Sequence, residues 1–515
     1  MDWFTAPGLW EARFLFQRGL AVLYGVAFLS AALQFRALIG ERGMLPVPEF
    51  LRRTAPRRFP SLFRLRYSDR LFAAVAWTGA AWSLALAAGA GDAVPLALCP
   101  LLWLVPWALY LSIVNVGQTW YAFGWESLLL EAGFLAAFLG NDEVGPPVVI
   151  LFLLRWLLFR VEFGAGLIKI RGDACWRRLT CLCHHHETQP MPGPLSWFFH
   201  RLPRPLHRVE AAANHVVQLG VPFLLFAPQP VASAAAGLMI VTQLWLVLSG
   251  NFAWLNWLTI VLAASALDPS ALGLPVPGPS GEHLRPDPPP WYAALVLAVA
   301  VLVLVRSRRP VLNLLSRNQV MNRSYDPFHL VNTYGAFGTV SRVREEIVVE
   351  GTDAPEPGPG AVWREYGFKG KPGDPYRRPR QVAPYHRRLD WLMWFAALSP
   401  GYARVVRPLR GAAARRGPGH PAAARARPVP RRPARVRPRP ALPVPLHHLA
   451  GAADDRRVVA ADPGRGVPAA DPAAAVTRTR RCPRSGKGPG APGAVRPRAG
   501  QSMPGRMWGS ARSSS

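Results

Sequence analysis

Seven residues that could do chemistry crowd into one stretch of 13: Cys175, Cys181, Cys183, His184, His185, His186 and Glu187. Thiolate and imidazole are the ligands zinc prefers, so the density first suggests a metal. The spacing argues against it. Cys181 and Cys183 are closer than the usual two-to-four-residue gap, three adjacent histidines point in different directions, and no second Cys or His pair follows at finger spacing. Read from its residues, the chain is expected to hold no metal and no cofactor. A second set of reactive groups lies in apolar sequence: Glu126 and Glu131 in WESLLLEAGFL, then Arg155, Arg160, Glu162 and Lys169 in LLRWLLFRVEFGAGLIKIRGD, with Asn251 and Asn256 further on. Five residues separate the two glutamates, roughly 500° along a helix, so they do not stack as an acid/base pair. Arg155, Glu162 and Lys169 recur every seven residues and share one helical stripe. That stripe predicts an ion-pair ladder between neighbouring helices, with a substrate or proton site as the alternative.

The elements that must carry these groups are membrane helices. Apolar stretches lie near 14–35, 71–90, 94–116, 127–140, 147–170, 213–227, 231–250, 252–266 and 291–305. A helix needs roughly 20 apolar residues to cross a bilayer, so 7 to 9 spans are expected, those near 127, 213 and 252 being short or re-entrant. Arginines cluster at 42–70, 171–208 and 306–309. With nine spans these fall on one side, which the positive-inside rule makes the cytoplasm, and a disulfide in the 171–212 loop is then disfavoured. Prolines 190, 192 and 194 break any helix in that loop, and Leu195 to Phe199, with Trp197, can lie in the headgroup region, so an ordered re-entrant or interfacial loop is expected.

After the last span the pattern changes. SRVREEIVVEGT alternates like a strand, VWREYGFKGKPGD supplies another, and YHRRLDWLMWFAAL reads as an amphipathic helix on the membrane or on a small β domain. From Gly401 onward there are 24 basic and 4 acidic residues, against 60 and 30 in the whole chain, so most of the formal +30 charge sits in the last fifth. That tail has no Ile, Phe, Asn or Glu and a single Lys, Lys487. Such a composition predicts disorder. Its scarcity of aromatics and of mixed Lys and Arg argues against a nucleic-acid partner, and a frameshift in a GC-rich gene near codon 404 accounts for the bias. The expected organisation is thus a mainly α, polytopic membrane bundle over 10–309, a small β-rich extramembrane domain over 310–402, and a disordered tail over 403–515.

Several long motifs give the chain a resemblance. GLIKIRGDACWRRLTCL with HHETQPMPGPLSWFFHRLP, NHVVQLGVPFLLFAP, Ser249-Gly250-Asn251 with FAWLNWLTIV, and NRSYDPFHLVNTYGAFGTVSRVREEIVVEGT with APYHRRLDWLMWFAAL resemble the lipase maturation factor family from about Trp10 to Tyr402. The resemblance implies a multi-pass membrane protein with no enzymatic activity, assisting folding, assembly or export of a secreted lipase or other client. Its membrane would be the endoplasmic reticulum in a eukaryote and the inner membrane in a bacterium. It also implies a functional loop of His185, His186, Glu187, Thr188, Gln189, Pro190 and Trp197. Two departures stand out: Cys183-His184 replaces expected aromatics, and the family's C-terminal domain is cut off after Tyr402.

A shorter likeness points elsewhere. Ala165-Gly166-Leu167-Ile168-Lys169, followed by Trp176, is similar to a membrane-domain segment of vitamin K-dependent glutamate carboxylases, where the matching Lys is the base. That implies a membrane-embedded enzyme with Lys169 as base and Glu162 or His186 as its partner. Lipid is the expected partner under either description.

Overall fold

A computed structural model describes residues 3–268, 287–352, 362–373, 377–402 and the short segments 424–425, 435–438 and 442–443. Fifteen α-helices are described: α1 (Trp10–Leu38), α2 (Val47–Arg53), α3 (Asp69–Ala88), α4 (Cys99–Val116), α5 (Gly124–Ala136), α6 (Val148–Arg171), α7 (Ala174–Arg177), α8 (Leu182–Thr188), α9 (Ser196–His200), α10 (Arg204–Leu219), α11 (Val221–Leu224), α12 (Val231–Ser249), α13 (Leu255–Ala264), α14 (Pro290–Leu315) and α15 (Arg388–Leu398). The element boundaries follow local chemistry. Ser68 caps α3 by accepting from the amide of Leu71, and Gly89 ends it at φ 116°, where a side chain would be strained. Pro147 precedes α6, and Asp173 caps α7 through the amide of Cys175.

Five helical segments are long and apolar enough to cross a membrane: Pro7–Leu38, Asp69–Ala88, Cys99–Val116, Val231–Ser249 and Pro290–Leu315. This is fewer than the 7 to 9 expected from hydropathy, for reasons of length and charge. The stretch near 127 yields the 13-residue α5 and that near 252 the 10-residue α13, about 20 and 15 Å long, against a hydrocarbon core of about 30 Å. The stretch near 213 divides at Gly220 into α10 and α11. Helix α6 has 24 residues but carries Arg155, Arg160, Glu162, Lys169 and Arg171.

Hydrogen bonds sort the connections into two ends. At one, Arg13 at the start of α1 donates to the carbonyls of Asn141 and Val144 and pairs with Asp142 at 2.7 Å. Arg18 pairs with Asp92, Glu143 accepts the amide of Leu96, and the Tyr292 hydroxyl donates to the carbonyl of Phe138. At the other end, Gln34 late in α1 donates to the carbonyl of His386, Asn115 late in α4 to those of Pro60 and Pro327, and Arg171 late in α6 to that of Leu314. Close packing is bought with small residues: Gly79 of α3 lies against the Phe28 ring, and Gly133 of α5 against the Tyr24 hydroxyl.

The segment after α14 is built of very short strands: β1 (Arg323–Ser324) with β2 (Asn332–Thr333), then β3 (Glu345–Glu346), β4 (Val349–Thr352), β5 (Arg364–Glu365) and β6 (Gly367–Phe368). Strand β4 pairs antiparallel with β5. From the tail, β7 (Ala424–Arg425), β8 (Arg435–Pro438) and β9 (Leu442–Pro443) pair with β6, β4 and β3. Of the tail expected to be disordered, only these three short segments are described, and each lies along the edge of an earlier strand, where unpaired backbone groups accept an extended chain. The rest of 403–515, with the frameshift inferred for it, lies outside the described residues. Helix α15 packs against β3, the second of its two expected placements, but is buried on more than one face. Arg388, Leu389, Asp390, Trp391, Leu392, Met393 and Ala396 are all buried, and Trp391 packs on Phe123 and Trp125 beside α5.

Candidate functional site

The charged groups of α5 and α6 are each satisfied by a different partner. Glu131 receives Arg160, the amide and side chain of Asn332 at 3.0 and 2.9 Å, and the Tyr334 hydroxyl at 2.6 Å. Glu126 accepts from Arg388 and from the Tyr110 hydroxyl, both at 2.5 Å, while Arg388 also donates to the carbonyl of Trp120. An ion pair does join α5 to α6, as expected, but through Arg160 and not along the stripe of Arg155. That arginine donates to the carbonyl of Leu225 instead.

Glu162 and Lys169 do not touch. Gln218 of α10 stands between them: its amide nitrogen donates to Glu162 at 3.0 Å and its oxygen accepts from Lys169 at 2.9 Å. Gln243 of α12 completes Glu162 at 2.6 Å. Lys169 donates also to Asn214 at 2.7 Å and lies 4.9 Å from the centroid of the Trp176 ring. The sequence pattern missed Asn214, Gln218 and Gln243, because single amides in apolar helices carry no spacing signal; their one mark is that polar side chains at such depth need partners.

The loop is buried, not spread on a surface. His185, His186, Thr188 and Gln189 are nearly inaccessible, and of the aromatic run only Phe198 is largely exposed. Gln189 donates to the carbonyl of Ser249 and to the Ser196 hydroxyl, and Ser196 donates to the same carbonyl. Asn251 donates to the carbonyls of Pro192 and Arg380 and accepts the amides of Val382 and Ala383. Arg344 reaches the carbonyls of Glu187, Gln189 and Pro190 and is neutralised by Glu346, which also holds Lys371 at 2.7 Å. Trp394 donates to the carbonyl of Thr188. The loop thus joins the helices to the segment that follows them. Trp197 stacks on Arg201, and Asn256 is buried in the first turn of α13.

Cys175 and Cys181 form a disulfide, contrary to the expectation from the arginine distribution. His186 is not beside Lys169. Its ring stacks 5.8 Å from His207, with Glu210 alongside. His207 and Glu210, one turn apart on α10, went unnoticed in the sequence, although an HxxE spacing on one helix face was legible.

A family model described as the lipase maturation factor transmembrane domain matches residues 11–274, and one described as the lipase maturation factor C-terminal domain matches 330–406. The chain belongs to the lipase maturation factor family. It is 42% identical over 423 residues to Lipase maturation factor 1 of Mus musculus, covering 75% of this chain and 74% of that protein. Against Lipase maturation factor 1 of Homo sapiens the identity is 41% over 426 residues, with the same shares. Lipase maturation factor 2 of Gallus gallus is 29% identical over 525 residues, 77% of this chain and 72% of that one. No solved structure matches. Both family segments meet at the loop: Asn251 belongs to the first, and the residues it holds, Arg380, Val382 and Ala383, to the second.

Three histidines outside the long apolar helices are kept uncharged. Burial pushes His185 and His386 well below the ordinary value of 6.5, Arg388 adding to the effect on His386, and burial pushes His329 down to about 4. A histidine whose pKa is depressed by folding contributes stability above about pH 6.5, which is lost as pH falls and the unfolded chain takes up protons. The unfolding temperature in detergent is expected to fall as pH is lowered from 7 to 5, the unfolding free energy dropping by up to about 1.4 kcal/mol per pH unit for each such histidine. His386→Phe, seated among Phe123, Trp125 and Trp391, should flatten that slope.

Proposed function

We propose that the protein assists the folding, assembly or export of secreted proteins such as lipases, acting as a membrane-embedded scaffold. The observation that carries this is the similarity to Lipase maturation factor 1 across about three quarters of both chains, through both family segments. The surroundings of Lys169 favour a scaffold over an enzyme. Its N–H groups are spent on Asn214 and Gln218 and its charge rests on Trp176, so it serves as a donor joining α6 to α10, whereas a base needs its lone pair toward a substrate. The embedded enzyme using Lys169, with Glu162, is the second reading, resting on the Ala165–Lys169 likeness and on the burial of both groups.

We propose a path of nine passages. The two hydrogen-bonded ends alternate along the chain, so α5, α6, the α10–α11 pair and α13 connect opposite ends as α1, α3, α4, α12 and α14 do. Arg155 to Leu225 at one end and Lys169 to Asn214 at the other support an antiparallel α6 and α10. In this path the 171–212 loop and the segment 310–402, taken as the extramembrane domain, share a side. The disulfide Cys175–Cys181 supports an oxidising compartment there, the lumen of the endoplasmic reticulum or a bacterial periplasm. Several arginines on that side serve the fold. Arg64 binds the carbonyls of Leu51, Thr54 and Phe59, and Arg342 binds Asp173, so their number need not report orientation.

Two measurements test this. In cells lacking their own factor and expressing a secreted lipase, the chain should restore active lipase in the medium, and Lys169→Arg should keep at least about half of that activity, since it preserves the charge and the donors. Total loss with normal membrane abundance would favour the enzyme. Single cysteines placed at exposed Arg178 and at Arg364 should both react with an impermeant thiol reagent from the lumenal or periplasmic side; labelling only from the cytoplasm would reverse the orientation.

A further inference from the structure

We propose that His186, His207 and Glu210 form a zinc site that clips the buried loop to α10. His186 lies on α8, and His207 and Glu210 are an i, i+3 pair in the first turns of α10. His186 Nε2 is 3.9 Å from Glu210 Oε2, His207 Nδ1 is 4.0 Å from the same oxygen, and one donor atom of each residue falls within 4.8 Å of the other two. At those separations the groups are too far apart to hydrogen-bond with one another. Both histidines are nevertheless shut away from water, His186 1% and His207 2% exposed, while the Glu210 side chain is 15% exposed with its Oε2 buried. Neither ring nitrogen of His186, nor Nδ1 of His207, nor Oε2 of Glu210 has any hydrogen-bond partner. Unpartnered buried polar atoms are rare, and here they converge on one point.

The outer contacts fix which atoms face that point. His207 Nε2 approaches the carbonyl of His200 at 3.4 Å, which assigns its proton there and leaves the Nδ1 lone pair inward. Trp245 Nε1 donates to Glu210 Oε1 at 2.8 Å and leaves Oε2 inward. Hydrogen bonds from the far side of a ligand are what metal-binding histidines and carboxylates ordinarily show. A tetrahedral zinc with ligands at about 2.0–2.2 Å spaces its donors about 3.3–3.6 Å apart, so side-chain shifts of up to roughly 1 Å close the set. Two imidazoles and a carboxylate suit zinc better than the hard cations, and three protein ligands leave a fourth position for water. The neighbouring trio of Asp173, Cys175 and Cys181 is a poorer candidate, because its two sulfurs are joined to each other and offer no thiolate.

The clip would act on the loop's purpose. His186 is three residues before Gln189, which pins the loop to the end of α12, and Trp245 lies on that same helix. The test uses the full chain purified in detergent, stripped with a chelator, incubated with ZnCl2 and desalted, with zinc measured by mass spectrometry and unfolding followed thermally. One equivalent of zinc per chain and a higher unfolding temperature with ZnCl2 are expected. Glu210→Gln and His186→Gln should each lower retained zinc about tenfold or more and abolish the thermal shift. The Cys175→Ser/Cys181→Ser variant should keep its zinc. A wild-type chain with no zinc above the buffer level, a His186→Gln/His207→Gln variant with a full equivalent, or loss confined to the cysteine variant would overturn the proposal. Glu210→Gln changes little in size and keeps an acceptor for Trp245, so its zinc content can be read even where the histidine variants fold poorly.

Discussion

Glu126 and Arg388 form an ion pair whose two side chains are wholly buried. A carboxylate inside a bundle of apolar helices is tolerated only with a countercharge and further hydrogen bonds, and Glu126 obtains both from Arg388 and Tyr110. The arginine comes from the far end of the described chain, 262 residues later, and lies over the Tyr121 ring at 3.5 Å. Its helix cannot leave without stranding a charge in the interior. Glu131 repeats the device, its carboxylate taking Arg160 from α6 and Asn332 and Tyr334 from beyond α14. The helices and the segment after them are therefore one structure, tied at two glutamates on one short helix.

The loop belongs to the same tie. Gln189 and Asn251 hold its backbone to the end of α12, Arg344 and Trp394 hold it from the other side, and α15 lies across the join. A stretch that looks like a reactive centre, with histidines, a glutamate and a glutamine in sequence, is largely a set of carbonyls and amides satisfied by distant partners.

Much of this was legible in the residues. Apolar runs gave the long helices, and the alternation around Val343 to Val349 gave strands, though shorter than the pattern suggests. The long motifs gave the family. What the sequence concealed was pairing. Helical geometry put Arg155, Glu162 and Lys169 on one stripe, but whether a stripe is a ladder depends on what faces it, and α10 presented Gln218 and Asn214. Likewise Arg388 reads as part of an amphipathic surface helix until Glu126 is placed beside it. Spacing encodes neighbours within a helix, and these partners are from 29 to 262 residues apart. The Cys175–Cys181 pair escapes a charge rule that speaks about insertion, not about which arginines the fold itself consumes.

The claim that buried charges lock the two family segments together is tested most directly by a double-mutant cycle on Glu126 and Arg388, measured by reversible unfolding in mixed detergent. Arg388→Met alone should cost about 3–5 kcal/mol, because it leaves a charged carboxylate unpaired in the interior. Glu126→Gln combined with Arg388→Met should recover a large part of that loss, a coupling of at least about 1 kcal/mol. If each single change costs less than about 1 kcal/mol and the two simply add, the pair does not hold the segments together and the account is wrong.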